Sequence, residues 1–288
     1  MAQRITGHTD VYGIIATPIR HTISPMMHNT ASDLLGLDYA YLAYRVRESE
    51  LAQAVDALKL FGARGWNLTM PLKTAMVELV DELSPAAALA NSVNTVVNED
   101  GHLIGHTTDG IGFMRSVAAE GIALKGKEIV LLGAGGAASA ICVQAALDDV
   151  HAIRMFKRKN ASWDATQQFI ARISNQTGCE ITLEDICDET ALAHRLATAT
   201  LLVNATNVGM HPNEHACPIN PALLHSALAV SDIIYNPAET LLMREAAAIG
   251  CRTFNGLYML LYQGAAAFEL WTGQEMPIEQ IRPLFSSF

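Results

Sequence analysis

Along the first hundred residues, short β-rich apolar runs alternate with stretches in which apolar residues recur every three or four positions. Val11 to Ala16, Tyr39 to Val46, Ala63 to Thr69 and Thr95 to Asn98 read as strands, whereas Leu51 to Phe61 and Thr74 to Leu83 read as amphipathic helices. Pro25 fits the first turn of a helix through Met26 to Leu35, because its missing N–H is one that a helix start leaves unpaired. Ser24 reads as the N-cap of that helix and Gly36 as its stop.

From Lys127 the rhythm becomes regular. Glu128 to Leu132 is an apolar run bounded by Gly126 and Gly133, followed by a glycine loop, a small-residue helix over Ala137 to Leu147 and a strand over Ala152 to Phe156. Further strands are predicted at Thr200 to Ala205, Val230 to Tyr235 and Arg252 to Phe254, with helices between them. Strand and helix in strict alternation predict an α/β fold with a parallel, doubly wound sheet. The last stretch, from Tyr258, is helical and need not pack on the nearest domain.

A chain of 288 residues is long for one core, so two domains with a cleft between them are expected. Half the residues are hydrophobic and 17% are charged, which supplies enough apolar surface to bury without disulfides. The five cysteines are scattered and never in a C-x-x-C pair, as in a reducing compartment. The start, MAQRITGHTD, has no basic stretch followed by an apolar core, and the run Leu257 to Trp271 is interrupted by Gln263 and Glu269. A cytoplasmic protein is therefore expected, with no membrane partner. A formal charge of -10 repels nucleic acid and anionic lipid, so an anionic ligand needs a local basic cluster.

Two regions offer such chemistry. Gly133-Ala134-Gly135-Gly136-Ala137-Ala138 fits G-x-G-x-x-G/A between a strand and a helix, where tight turning, close backbone approach and free helix amides favour a pyrophosphate. The ribose-gripping residue should follow about twenty positions on. Phe156-Lys157-Arg158-Lys159-Asn160 stands there, preceded by Arg154, so the expected partner is a 2′-phosphate and the expected cofactor NADP, with NAD left open.

In the first half, polar groups end apolar runs at Thr22-Ile-Ser24-Pro25, Asn67-Leu-Thr69-Met-Pro71-Leu-Lys73, Val93-Asn94-Thr95 and Thr107-Thr-Asp109-Gly110. Oxidising an alcohol needs a group to take the hydroxyl proton as the hydride leaves, and Lys73 with Asp109 could share that task. Read alone, a lysine placed as Lys73 is more often a surface residue opening a helix, and an acid placed as Asp109 a helix cap. His211-x-x-Glu214-His215 formally matches a zinc pattern, but Pro212 biases His211 towards extended backbone and no third ligand is evident, so no metal is expected.

These stretches, in this order, resemble those of the shikimate dehydrogenase family, including its quinate/shikimate dehydrogenase branch. Also in register are Pro18 to Pro25, Asn204-Ala-Thr206-Asn-Val-Gly209-Met210 and Met259-Leu-Leu-Tyr-Gln263-Gly264-Ala265. The resemblance implies an NAD(P)-dependent oxidoreductase working between shikimate or quinate and the 3-dehydro acid, in aromatic amino acid biosynthesis. It implies Lys73 and Asp109 as the catalytic pair, and Thr22 and Ser24 at the substrate carboxylate with Tyr235 beside them. Thr69, Asn94 and Gln263 would reach ring hydroxyls. Gly133, Ala134, Gly135, Gly136 and Ala137 would lie under the pyrophosphate, Lys157 and Arg158 near the adenosine ribose, and Thr206 and Gly256 near the nicotinamide half.

The implied organisation is a mixed α/β substrate-binding domain over 1–110, a dinucleotide-binding domain of Rossmann type over 111–255, and a helical segment over 256–288 returning to the first domain. A homodimer is compatible with it. Alternatives are a dehydrogenase for an amino-substituted ring acid and a catalytically silent binding protein. The chain departs from the family pattern at Thr22, where serine is usual, at Thr107 and Lys157, where asparagine is common, and at Tyr258, where glycine is usual. Asn91-Ser92 stands for the usual Gly-Ala, and Asn160 for the aspartate of the NAD-using branch.

Overall fold

The computed structural model describes residues 5–285, so 1–4 at the expected start and 286–288 of the expected last segment lie outside it. Two compact units divide the chain: one runs to Thr108 and resumes at Leu261, and the other is Asp109–Leu260. These bounds fall a little away from the expected 110 and 255. At the first bound the shift has a local cause, since Gly110 packs into the second unit, where a Cβ would stand 2.3 Å from the Ala140 carbonyl oxygen.

The first unit carries β1 (Asp10–Ala16), α1 (Ser24–Leu35), β2 (Tyr39–Arg45), α2 (Leu51–Leu60), β3 (Gly65–Leu68), α3 (Leu72–Ala75), β4 (Glu82–Leu83), α4 (Pro85–Ala90), β5 (Thr95–Glu99) and β6 (His102–His106). The strands form one sheet in the order β2-β1-β3-β5-β6-β4. β1 runs parallel to β2 and β3, while β3–β5 and β5–β6 are antiparallel, so the sheet is mixed. Asp100 and Gly101, both at positive φ, turn β5 into β6, as a two-residue Asp-Gly hairpin requires. Trp66, Leu68, Leu72 and Met76 are buried in its core.

Two expectations change here. Thr74 to Leu83 is not one helix: α3 stops at Ala75, a 3-10 turn spans Met76–Leu79, and β4 follows. The edge of β6 captures this segment, because Asp81 N–H donates to the Leu103 carbonyl at 2.9 Å and its carboxylate accepts Leu103 N–H at 2.7 Å. Ser24 is likewise not the cap of α1 but its first residue, its side chain engaged with Thr22 instead of the helix amides.

The second unit carries α5 (Asp109–Ala119), β7 (Glu128–Leu132), α6 (Gly136–Leu147), β8 (Ala152–Lys157), α7 (Trp163–Thr177), β9 (Glu180–Asp185), α8 (Glu189–Leu196), β10 (Leu201–Asn204), β11 (Ala229–Asp232), α9 (Leu241–Ile249) and β12 (Arg252–Asn255). All six strands are parallel, in the order β12-β11-β10-β7-β8-β9. Chain order reverses between β7 and β10, which makes the ends of these two strands the switch point where ligands bind in open α/β sheets. β9, at the sheet's edge, is at most half-buried and holds only two apolar residues, Ile181 and Leu183, among polar ones, so it forms no apolar run.

α10 (Leu257–Thr272) enters the first unit at Leu261, and α11 (Ile278–Ile281) follows it there. Within that unit Trp271 donates its indole N–H to the Val96 carbonyl at 2.9 Å and packs against Tyr12 and Tyr41. The last helix therefore does return to the first sheet. No helix among the described residues is long and apolar enough to cross a membrane.

Candidate functional site

In the first unit, the central strand β3 carries an asparagine, Asn67, whose surroundings are polar yet closed to water. The Asn67 carbonyl Oδ1 accepts the Tyr41 hydroxyl at 2.6 Å, and its amide donates to Thr95 Oγ1 at 2.9 Å. Thr95 donates onward to Asn94 Oδ1 at 3.0 Å, which also accepts Thr108 N–H at 2.8 Å. The Asn94 amide lies 3.5 Å from Gln263 Oε1, so the returning α10 joins the same network. Asn67, Asn94, Thr95 and Thr108 are all buried, and burial is tolerated because each finds partners in the others.

The segment holding Thr69 and Lys73 is laced to this network by its backbone. Leu68 N–H donates to the Asn94 carbonyl at 2.8 Å, and Val93 N–H donates to the Lys73 carbonyl at 3.0 Å. Lys73 is half-buried on α3, and Thr69 is exposed just before it. Thr22 donates its hydroxyl to Ser24 Oγ at 3.2 Å, and Tyr41 donates its hydroxyl to Asn67. The Tyr41 ring stacks on His28, which is fully buried with neither ring nitrogen hydrogen-bonded, and burial pushes its pKa down to about 3.

In the second unit, Asp109 is the half-buried first residue of α5. Gly133 ends β7 at φ +100, and a Cβ there would stand 2.8 Å from the Ala205 carbonyl oxygen, so only glycine makes this turn without strain. Gly135 and Gly136 instead face open space, with nothing within 4 Å of a Cβ on either. Ala137 follows on the first turn of α6, whose unpaired amides and positive dipole end suit an anion. A pocket of about 370 Å³ lies here, lined by Gly133, Ala134 and Gly135 and by Lys157, Arg158 and Thr206.

The three basic residues around β8 separate. Arg158 is exposed on the pocket wall. Lys157 is 8% exposed; its amine donates to Ser162 Oγ at 2.7 Å and Thr166 Oγ1 at 3.1 Å, and burial pushes its pKa below the usual lysine range. Arg154 does not join the basic patch, because Glu128 and Glu180 on the flanking strands pair with it and cancel its charge inside the sheet. Thr206 donates to Asn204 Oδ1 at 2.7 Å. Gly256 is buried against the Ile233 carbonyl, while Tyr235 is 42% exposed beyond β11.

Sequence reasoning singled out the stretches holding Asn67, Thr95 and Thr108 but gave these three residues no role of their own, and it overlooked Ser162 and Thr166. Asn67 and Thr95 are polar residues inside apolar strands, and Ser162 and Thr166 are spaced one helical turn apart beside Lys157. Both patterns were available as signals.

Comparison with known proteins bears on this arrangement. The model of the shikimate dehydrogenase substrate binding domain matches residues 14–96, and that of the shikimate 5'-dehydrogenase C-terminal domain matches residues 256–283. Shikimate dehydrogenase (NADP(+)) of Listeria monocytogenes is 47% identical over 285 residues, covering 99% of this chain and 98% of that protein. Shikimate 5-dehydrogenase from Listeria monocytogenes, solved in complex with shikimate and NAD, is 47% identical, covers 99% of each chain and gives a TM-score of 0.95. Quinate dehydrogenase from Corynebacterium glutamicum, in complex with NAD, is 30% identical over 97% of this chain and 99% of that one, with a TM-score of 0.86.

Proposed function

The chain belongs to the shikimate dehydrogenase family, and we propose that it moves a hydride between NADP and the ring of shikimate, with 3-dehydroshikimate as the oxidised partner. The observation that carries this reading is the charge-free network of Asn67, Thr95, Thr108, Asn94 and Gln263, laced to the Lys73 segment. Preset amide and hydroxyl groups select a ligand rich in hydroxyls, since a ligand without them would leave buried donors unpaired.

In this reading the first unit holds the ring acid and the second the dinucleotide. Thr22 and Ser24 hold the substrate carboxylate through their hydroxyls, with Tyr235 assisting. Thr69, Asn94 and Gln263 bind ring hydroxyls. Lys73 takes the proton of the reacting hydroxyl during oxidation and returns it during reduction, and Asp109 binds that hydroxyl and orients the lysine.

The second unit fits a dinucleotide: the open space over Gly135 and Gly136 leaves room for pyrophosphate oxygens at the start of α6. Gly133, Ala134, Gly135, Gly136 and Ala137 would hold that group, and Thr206 and Gly256 the nicotinamide half. When bound, the nicotinamide ring supplies the hydride acceptor or donor. Exposed Arg158 and partly turned-in Lys157 would hold a 2′-phosphate, which favours NADP over NAD.

Quinate is the second reading, because Thr22 adds a methyl where the family usually carries serine. Purified protein is mixed with each pairing of NADP or NAD with shikimate or quinate, and nicotinamide absorbance is followed. Turnover fastest with NADP and shikimate is expected. Silence with all four pairs overturns the dehydrogenase reading, and a preference for quinate or NAD overturns the corresponding choice.

A further inference from the structure

Asp232 ends β11 with none of its surface exposed, and every partner it has is neutral. One carboxylate oxygen, Oδ2, accepts the Asn204 amide at 3.0 Å and the Thr240 hydroxyl at 2.8 Å. The other, Oδ1, accepts Ile234 N–H at 3.0 Å. Burial raises its pKa above the usual aspartate range, so this carboxyl is kept in the fold at a cost.

The cost is matched by what the carboxylate does to Asn204. A carboxylate can only accept, so the Asn204 amide must turn its nitrogen towards Asp232, where it also reaches the Val208 carbonyl at 3.2 Å. Its oxygen is thereby aimed at Thr206, whose N–H and hydroxyl donate to it at 3.1 and 2.7 Å. Val208 N–H then donates to the Thr206 hydroxyl at 3.1 Å, closing the turn. Thr206 and Val208 line the pocket, and Thr206 stands against Gly133.

We propose that Asp232 is a positioning residue of the dinucleotide site: through Asn204 it fixes the turn that presents Thr206 to the nicotinamide half of the cofactor. This rests on the reading of the pocket as a dinucleotide site. In Asp232→Asn one carboxamide oxygen replaces two acceptors, so its NH2 must face either the Asn204 amide or Ile234 N–H, donor to donor. The first arrangement costs the Asn204 bond and the second unseats the side chain at the end of β11, so the hold on Asn204 weakens and the turn loosens.

Three variants and two ligands separate positioning from a merely structural role. Asp232→Asn and Asn204→Ala are expected to weaken NADP about tenfold and raise its KM, the scale of one lost hydrogen bond to a charged group. Affinity for 2′,5′-ADP, which lacks the nicotinamide half, and KM for shikimate should stay as in the parent. Thr240→Val, which cuts the carboxylate's link to α9 alone, should lower Tm while NADP binds as before. Should Asp232→Asn fail to fold, Asn204→Ala decides, since it leaves Asp232 bonded to Thr240 and Ile234. Parental NADP affinity in Asn204→Ala, or equal loss of both ligands, overturns the proposal. A parent that binds neither ligand removes the dinucleotide reading first, and this inference with it.

Discussion

In the first unit the groups offered to a ligand are side chains that hold one another, whereas in the second they are chiefly backbone amides uncovered by glycines. Asn67, Thr95, Asn94 and Gln263 form a continuous hydrogen-bonded set with no formal charge. Around Gly133, Gly135 and Gly136 the useful feature is the lack of side chains, with one buried lysine and one exposed arginine at the rim. Hydroxyls on a small ring have to be told apart one by one, which needs donors and acceptors at set positions. A pyrophosphate needs only close approach and a positive dipole end. Discrimination is therefore built from side chains and anion binding from main chain.

The contrast can be broken most severely at its one proposed proton carrier. Lys73→Ala should lower kcat by about 10²- to 10⁴-fold, the usual weight of a general acid–base group, with a much smaller change in KM for shikimate. Steady-state kinetics in both directions check this, and a variant turning over at the parental rate removes Lys73 from catalysis.

Acid should act on the first unit through His28. Its pKa in the folded protein, about 3, lies below the ordinary 6.5, so the unfolded chain binds more protons between those values. Its contribution is complete above about pH 6.5 and is lost as pH falls towards 3, on the order of 5 kcal/mol in all. His28→Leu should flatten that limb of a stability profile measured by urea unfolding between pH 7 and 4. An unchanged slope would show that His28 is not the group responsible.

Gly133→Ala tests the main-chain side. Its φ of +100 and the nearby Ala205 oxygen predict a loss of about 1–3 kcal/mol in stability, and weaker NADP binding with KM for shikimate unmoved in the surviving folded fraction. Thermal unfolding with and without NADP checks it; parental Tm would mean the turn relaxes freely.

The smallest effect is expected at the rim. Arg158→Ala should weaken NADP about tenfold and leave NAD unchanged, since a lost phosphate contact is worth about 1.5–3 kcal/mol. Lys157→Ala, whose amine already serves Ser162 and Thr166, should add less. An unchanged ratio of the two affinities, measured by fluorescence titration, counts against a phosphate at this place.

Much of this was legible along the chain, for reasons that differ between elements. β7, the glycine loop and α6 are local: an apolar run, a turn that only glycine makes and a small-residue helix each declare themselves within a few residues. β9 was invisible because an edge strand need bury only part of its surface, and Thr74 to Leu83 misled because an apolar spacing of three and four also suits a segment that the edge of β6 can pair. The Asp100-Gly101 turn, by contrast, was a readable sign of the β5–β6 hairpin that went unused. Arg154 illustrates the limit of counting charges in sequence: Lys157 and Arg158 remain near the pocket, while Glu128 and Glu180, far away in the chain, take Arg154 out of play.

The sequence by itself determined the alternation of strand and helix, the parallel second sheet and the residue types the chemistry needs, because these follow from spacing and from properties each residue carries with it. Only the tertiary structure decided which polar groups are free and which are spent. That Tyr41 closes on Asn67, that Lys157 turns to Ser162, and that Asp232 sets the face of Asn204 are all facts of hydrogen bonds closed between separate elements. Such bonds depend on distances of a few tenths of an ångström, and no order of residues along a chain fixes these until the core has packed.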